Sequence, residues 1–264
     1  MKKYSFQDDK LVETLRNFIC MLQNDLNDQL DSVYIYGSAL YNDLCPGYGD
    51  LDFLVIVRNN LDESTVSTLI SRRSELKLGE YGTYASMLEG AFLPISMITA
   101  GEEGVALWWG SRSERIWETN QLDQFTLYAI KHEGICIHGN FDRKLLPEIG
   151  CDEIRGFISQ FISSMKLHGK GGRLHSIDWL LLTSKFICWL REGRILSKSQ
   201  AADWGIANIE SSWTKHLKRS KELRKEPHKQ NLNEYSEWLM DLEIVIQEAC
   251  KDLELQLEKG PNFL

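Results

Sequence analysis

Apolar positions over residues 7 to 30 recur with a helical period, Leu11, Leu15, Phe18, Ile19 and Leu22 falling on one face. The pattern then tightens into two compact β-rich runs, Ser32 to Tyr36 and Phe53 to Val57, the second closed by Asn59-Asn60. Spacing through Val66, Leu69 and Ile70 predicts a helix over 62–76. Tyr84 to Met97 is apolar and β-prone but interrupted by Gly90 and Pro94. Pro94 cannot donate to a ladder, so it marks a strand end, an edge or a bulge. A helix over 122–132, carried by Leu122, Phe125, Leu127, Tyr128 and Ile130, leads into a short strand, Ile135 to Ile137, ending at Gly139. This succession predicts an α/β (α+β) domain, a small mixed β-sheet flanked by helices.

Beyond about residue 150 only helical spacing remains. Residues 152–168 and 176–192 are amphipathic, the second carrying Trp179, Leu182, Phe186, Trp189 and Leu190 on one stripe. Gly169 to Gly172 separates the two, and Gly193 ends the second as a C-cap glycine would. A long helix over 232–258 is expected from Leu239, Leu242, Ile246 and Leu253. The boundary is therefore set near 150, giving an N-terminal domain over 1–150 and an α-helical bundle over 151–264.

Composition narrows the class. Of 264 residues 43% are hydrophobic and 26% charged, as in a globular protein, and the net charge of −8 argues against a general nucleic-acid binder. No stretch approaches the roughly 18 apolar residues of a membrane helix. No apolar run follows the two lysines of MKKYSFQDDK, so no secretory leader is expected. The six cysteines lack close pairs or zinc-like spacing, which suits reduced thiols in the cytoplasm.

The segment YGSALYNDLCPGYGDLDFLVIV (36–57) carries the candidate chemistry. Gly37 and Ser38 follow one β-run and can turn backbone N–H groups toward phosphate oxygens. Asp50 and Asp52 enter the next run at i and i+2, a spacing that puts both carboxylates on one face of a strand. Burying carboxylates is costly unless they are paired or hold a metal, and Mg²⁺ commonly bridges such carboxylates to substrate phosphates. A wet polar loop is the alternative for a bare D-x-D; the preceding Gly-Ser favours a nucleotide and metal site.

Gly37-Ser38, eleven intervening residues, then Asp50-Leu51-Asp52 resembles the signature of the nucleotidyltransferase superfamily. In the second half, LLTSKFICWLREGRILSKSQAADW (181–204) and YAIKHEGICIHG (128–139) are similar to the streptomycin/spectinomycin branch of the aminoglycoside nucleotidyltransferases. Residues 60 to 120 diverge from that family. The resemblance implies an N-terminal nucleotidyltransferase domain and a helical domain that contributes to ATP and acceptor binding.

It also implies roles. Asp50 and Asp52, with Glu89, would hold two Mg²⁺ ions, and Glu89 would act as catalytic base. Glu89 lies 37 residues after Asp52 within an apolar run, which Glu80, Glu102 and Glu103 do not. Gly37 and Ser38 would bind the triphosphate of ATP with Lys185 and Lys198. Lys185 replaces an arginine, keeping charge without bidentate geometry, and a snorkelling surface lysine is the plainer reading of it. Gly49 stands where the family often has serine. The family's acceptor-contacting tryptophan and aspartate align near Lys166 and Gly171, so His175 and Asp178 are the nearby polar candidates. Trp117 either stacks on the acceptor or packs in the core.

The implied function is Mg²⁺-dependent transfer of AMP from ATP to a hydroxyl of a streptomycin- or spectinomycin-type antibiotic, giving resistance. The alternatives are a lincosamide, a metabolite or a regulatory protein as acceptor. A cytoplasmic monomer or weak dimer that binds neither nucleic acid nor membrane is expected.

Overall fold

The computed structural model describes residues 6–78 and 81–261, and the chain divides into two compact units, Met1–Glu148 and Ile149–Leu264. Lys2, Lys3 and Glu80 lie outside the described residues. In the first unit α1 (Asp9–Leu26) starts at Asp8, whose carboxylate accepts from the N–H groups of Lys10 and Leu11. It is followed by β1 (Leu30–Ile35), β2 (Leu51–Val57), α2 (Glu63–Lys77), β3 (Leu88–Pro94) and α3 (Ile95–Ala100). Then come β4 (Ala106–Trp109), β5 (Glu114–Trp117), α4 (Gln124–Glu133) and β6 (Ile135–His138).

The strands form one mixed sheet in the order β5-β4-β3-β2-β1-β6, with β2 and β3 parallel and the other pairs antiparallel. Leu51, Phe53 and Val55 of β2 alternate onto the face that buries Leu15, Phe18 and Leu22 of α1 and Val66 and Leu69 of α2. Aromatic rings stitch this core: Phe18 to Phe53 at 5.0 Å, Phe53 to Phe92 at 5.4 Å and Phe92 to Trp109 at 4.8 Å between centroids. The intervening residues of β2 point to the opposite face, and Asp52 is one of them.

The second unit consists of helices: α5 (Cys151–His168), α6 (Asp178–Glu192), α7 (Lys198–Asn208), α8 (Leu217–Lys225), α9 (Asn233–Met240) and α10 (Leu242–Lys259). Ile154, Ile158 and Ile162 of α5, Leu180, Leu181 and Ile187 of α6, and Leu242, Ile246 and Leu253 of α10 are buried.

Two expectations need correction. The β-prone stretch to Met97 stops at Pro94, and Ile95 opens a helix instead, since proline is well suited to the start of one. Residues 232–258 form two helices, because the Leu239 carbonyl accepts a 2.7 Å bond from the Gly172 N–H and the chain turns at Asp241. The antiparallel pair β4–β5 lies in the divergent stretch and was not expected from spacing. None of the six cysteines forms a disulfide, and among the described residues no helix is long and apolar enough to cross a membrane.

Candidate active site

The loop between β1 and β2 is closed at its stem. The Tyr36 N–H bonds the Asp52 carbonyl at 3.2 Å, and Ser38 Oγ donates to the Asp50 carbonyl at 3.3 Å. Gly37 begins a short 3₁₀ turn, Gly37–Tyr41, with φ +70°. A Cβ there would lie 2.2 Å from Asp52 Oδ2, so only glycine lets the turn lie against the carboxylate. The Gly37 turn and the Asp52 carboxylate are thus in contact through the one residue that lacks a side chain.

Glu89 arrives from the next strand. In the parallel register of β2 and β3, Asp52 is the partner of Glu89, which puts both on one face of the sheet. Gly90 follows Glu89 because a Cβ at that position would lie 1.9 Å from the Phe53 carbonyl. The Glu89 pKa is raised to about 7, first by burial and then by the charge of Asp50, which also accepts its hydrogen bond. Arg73 and the Ser111 backbone N–H, from the turn between β4 and β5, oppose that rise. Glu89 Oε2 is buried without a hydrogen-bond partner among the described residues.

Tyr36 is buried beside the group, and its hydroxyl pKa is driven well up by burial, then by the charges of Asp52, Asp123 and Glu89. It therefore remains a neutral donor. Asp123 also caps α4, accepting from the Thr126 N–H at 2.9 Å. Among the described residues no three His, Cys, Asp or Glu side chains converge into a ready-made metal cage. Mg²⁺ does not need one, since it is usually held by one or two carboxylates together with waters and substrate phosphates. The oxygen-only donors Asp50, Asp52 and Glu89, with one Glu89 oxygen buried and unpartnered, suit such an ion.

In the second unit most of the GRILSKSQAADW segment is architecture. Gly193 ends α6 at φ +67°, and Ser197 and Gln200 form the capping box that opens α7. Ser184 Oγ donates to the Ala201 carbonyl at 2.7 Å, and the Trp204 indole N–H donates to Glu192 at 2.8 Å. Lys198 is the first residue of α7, and its Nζ lies 2.7 Å from Asp178 Oδ1. The other oxygen of Asp178 is 3.2 Å from His175 Nδ1. Lys185 is half-buried on α6.

Residues 145–247 match the family described as aminoglycoside adenylyltransferase, C-terminal domain. Across both units the structure is similar to spectinomycin adenyltransferase AAD(9) from Enterococcus faecialis, solved with ATP and spectinomycin. The TM-score is 0.64 at 21% identity, over 94% of this chain and 99% of that one. The fold is that of an adenylyltransferase. No curated protein matches the chain by sequence. Residues 145–247 are thus similar to the C-terminal domain of the aminoglycoside adenylyltransferases, and the chain as a whole shares the fold of the solved structure.

On the adenylyltransferase fold the expected residues form two sets. Gly37, Ser38, Asp50, Asp52 and Glu89 meet in the first unit, while Lys198, Asp178 and His175 meet in the second. Glu102 and Glu103 are exposed after α3. Trp117 is 8% exposed and stacked on Trp108 at 5.1 Å, so Trp108 carries the more open ring of the two. Lys166 is bonded to Glu254, and Gly171 packs against the Leu239 carbonyl, where a Cβ would come within 2.3 Å. Three groups escaped sequence reasoning: Tyr36, Asp123 and Arg73. Tyr36 adjoins the Gly-Ser pair and Asp123 has the look of an N-cap, so both carried a signal; Arg73 did not.

Proposed function

We propose that the chain transfers AMP from ATP to a hydroxyl of an aminocyclitol or aminoglycoside antibiotic of the spectinomycin or streptomycin type, and so confers resistance. The observation that carries this reading is the contact of the Gly37 turn with Asp52, itself paired in register with Glu89. That proximity supports a reading in which the turn grips phosphate, Asp52 binds metal and Glu89 acts as base.

The first unit is the catalytic one. The backbone N–H groups of Gly37 and Ser38 bind the β- and γ-phosphates of ATP. Asp50, Asp52 and Glu89 would hold two Mg²⁺ ions, which would offset the charge that gathers on the phosphates. Glu89 takes the proton from the acceptor hydroxyl. That oxygen bonds to the α-phosphorus as the bond to the β-phosphate oxygen breaks, and pyrophosphate leaves. Lys185 and Lys198 of the second unit supply counter-charges for the triphosphate, and His175, Asp178 and Trp117 serve the acceptor. The enzyme works in the cytoplasm as a monomer or weak dimer.

Lys166 and Gly171 favour a second reading of the acceptor. Both are occupied within the bundle, where the family's tryptophan and aspartate would contact an antibiotic. A lincosamide, a metabolite or a regulatory protein is then the acceptor of the same transfer.

Pyrophosphate release with ATP and Mg²⁺ across spectinomycin, streptomycin and a lincosamide tests both. Release with either of the first two, lost in Asp52→Asn, is the expected result. Release with the lincosamide alone, or ATP binding without release on spectinomycin or streptomycin, would move the acceptor to the second reading. No ATP binding by the wild-type protein would overturn the proposal.

A further inference from the structure

Arg73 lies on α2 in the sequence SRRSELK, where an arginine reads as a solvated helix residue. It is 2% exposed. Its Nε and Nη1 are buried without hydrogen-bond partners among the described residues. Its neighbour Arg72 takes the surface role, bonding Asp25 at 2.9 Å and Glu75 at 2.8 Å. Removing a guanidinium from water and leaving two of its nitrogens unpaired is expensive unless nearby charge offsets the loss.

Geometry indicates which charge. The guanidinium carbon is 5.7 Å from the centroid of the Trp109 ring. Trp109 is the β4 partner of Gly90, the residue after Glu89, and is also the partner of Glu114 on β5. Arg73 therefore lies under the end of the sheet from which Glu89 projects. The anions whose fields reach it are Glu114, Glu89 and Asp50. Glu114, the strongest of the three, also bonds Lys77 at 3.0 Å, so its charge is shared with the surface. Glu89 and Asp50 remain, two carboxyl groups hydrogen-bonded to each other beside Asp52.

We propose that Arg73 is a positioning residue, the buried counter-charge that lets Asp50 and Glu89 stand together on the sheet before any cation or nucleotide arrives. It touches neither substrate nor metal. It acts from the apolar side of the sheet, through the core, on carboxylates that point to the other side. This deepens the proposed function and rests on it only in treating Glu89 and Asp50 as site residues.

The test is a double-mutant cycle on thermal stability at pH 8, without metal or nucleotide, using Arg73→Met, Glu89→Gln and the pair. Arg73→Met is expected to lower Tm markedly when Glu89 is present and by much less when it is Gln, while Arg73→Lys retains most of the coupling. Equal losses in the two backgrounds would make Arg73 a packing residue and overturn the proposal. If Arg73→Met alone fails to fold, recovery of a folded protein in the pair supports the proposal, and failure of both overturns it. The readout is independent of catalysis, so a protein that transfers no AMP can still pass, and an active enzyme can still fail.

Discussion

The two sets of candidate residues are assembled on opposite principles. In the first unit like charges are gathered. Asp50, Asp52 and Glu89 are drawn together by strand register and a glycine contact, and Glu89 is pushed toward neutrality as a result. In the second unit opposite charges are paired. Lys198 is held by Asp178, which also meets His175, and the surrounding segment is devoted to capping and helix packing. A site that stores repulsion is poised for a cation, whereas a lysine already paired must exchange partners to bind a phosphate. Chemistry is expected to depend steeply on the first set and binding more gently on the second.

Glu89→Gln is expected to have the largest effect, lowering kcat by about 10²–10⁴ with little change in ATP affinity, the usual weight of a general base. Pre-steady-state and steady-state pyrophosphate release would separate the two. Gly37→Ala is next. It combines a left-handed backbone, costing about 1–2 kcal/mol, with a Cβ 2.2 Å from Asp52. Urea unfolding should register the loss, and activity should fall even in the folded fraction. Lys198→Ala should raise the KM for ATP by roughly tenfold, the scale of one charge-assisted hydrogen bond, with a smaller effect on kcat. If Lys198→Ala reduced kcat as much as Glu89→Gln does, the contrast between the two sets would collapse.

A pH series sharpens the same contrast. Glu89 titrates near 7 in the folded protein against an ordinary value of 4.5, so between those values the folded state keeps a proton that the unfolded chain has released. Its contribution to stability is whole below pH 4.5 and is lost as pH rises through 7. Glu89→Gln should therefore raise Tm more at pH 8 than at pH 5 when measured without metal. The smallest effect belongs to Gly193→Ala, which should cost about 1 kcal/mol at the positive-φ C-cap. Specific activity of the folded protein should be unchanged.

Sequence patterning made the two central strands and most helices legible, because each combines a clear period with a stop signal, such as Asn59-Asn60 after β2. The family resemblance singled out Glu89 by its distance from Asp52, and the register of β2 with β3 sets the two residues side by side. Patterning failed where local and tertiary signals part. β4 (ALWW) and β5 (ERIW) are four residues each, too short for a period to appear. The break at Asp241 was hidden because the apolar spacing runs through it, while the cause is a hydrogen bond from Gly172, distant in sequence. Arg73 was hidden for a related reason. Nothing in SRRSELK distinguishes the arginine that faces solvent from the one under Trp109, since the difference is made by the sheet above it.

The closed stem of the β1–β2 loop has a consequence for how this protein could tolerate change. Ser38 and Asp50 are tied together, as are Tyr36 and Asp52, so the working parts hang from the stem and not from the exposed tip at Pro46-Gly47. Extending such a tip adds only a slowly growing entropic cost. The tip is therefore free to lengthen, shorten or acquire new side chains over evolutionary time while the stem keeps the turn and the carboxylates in step.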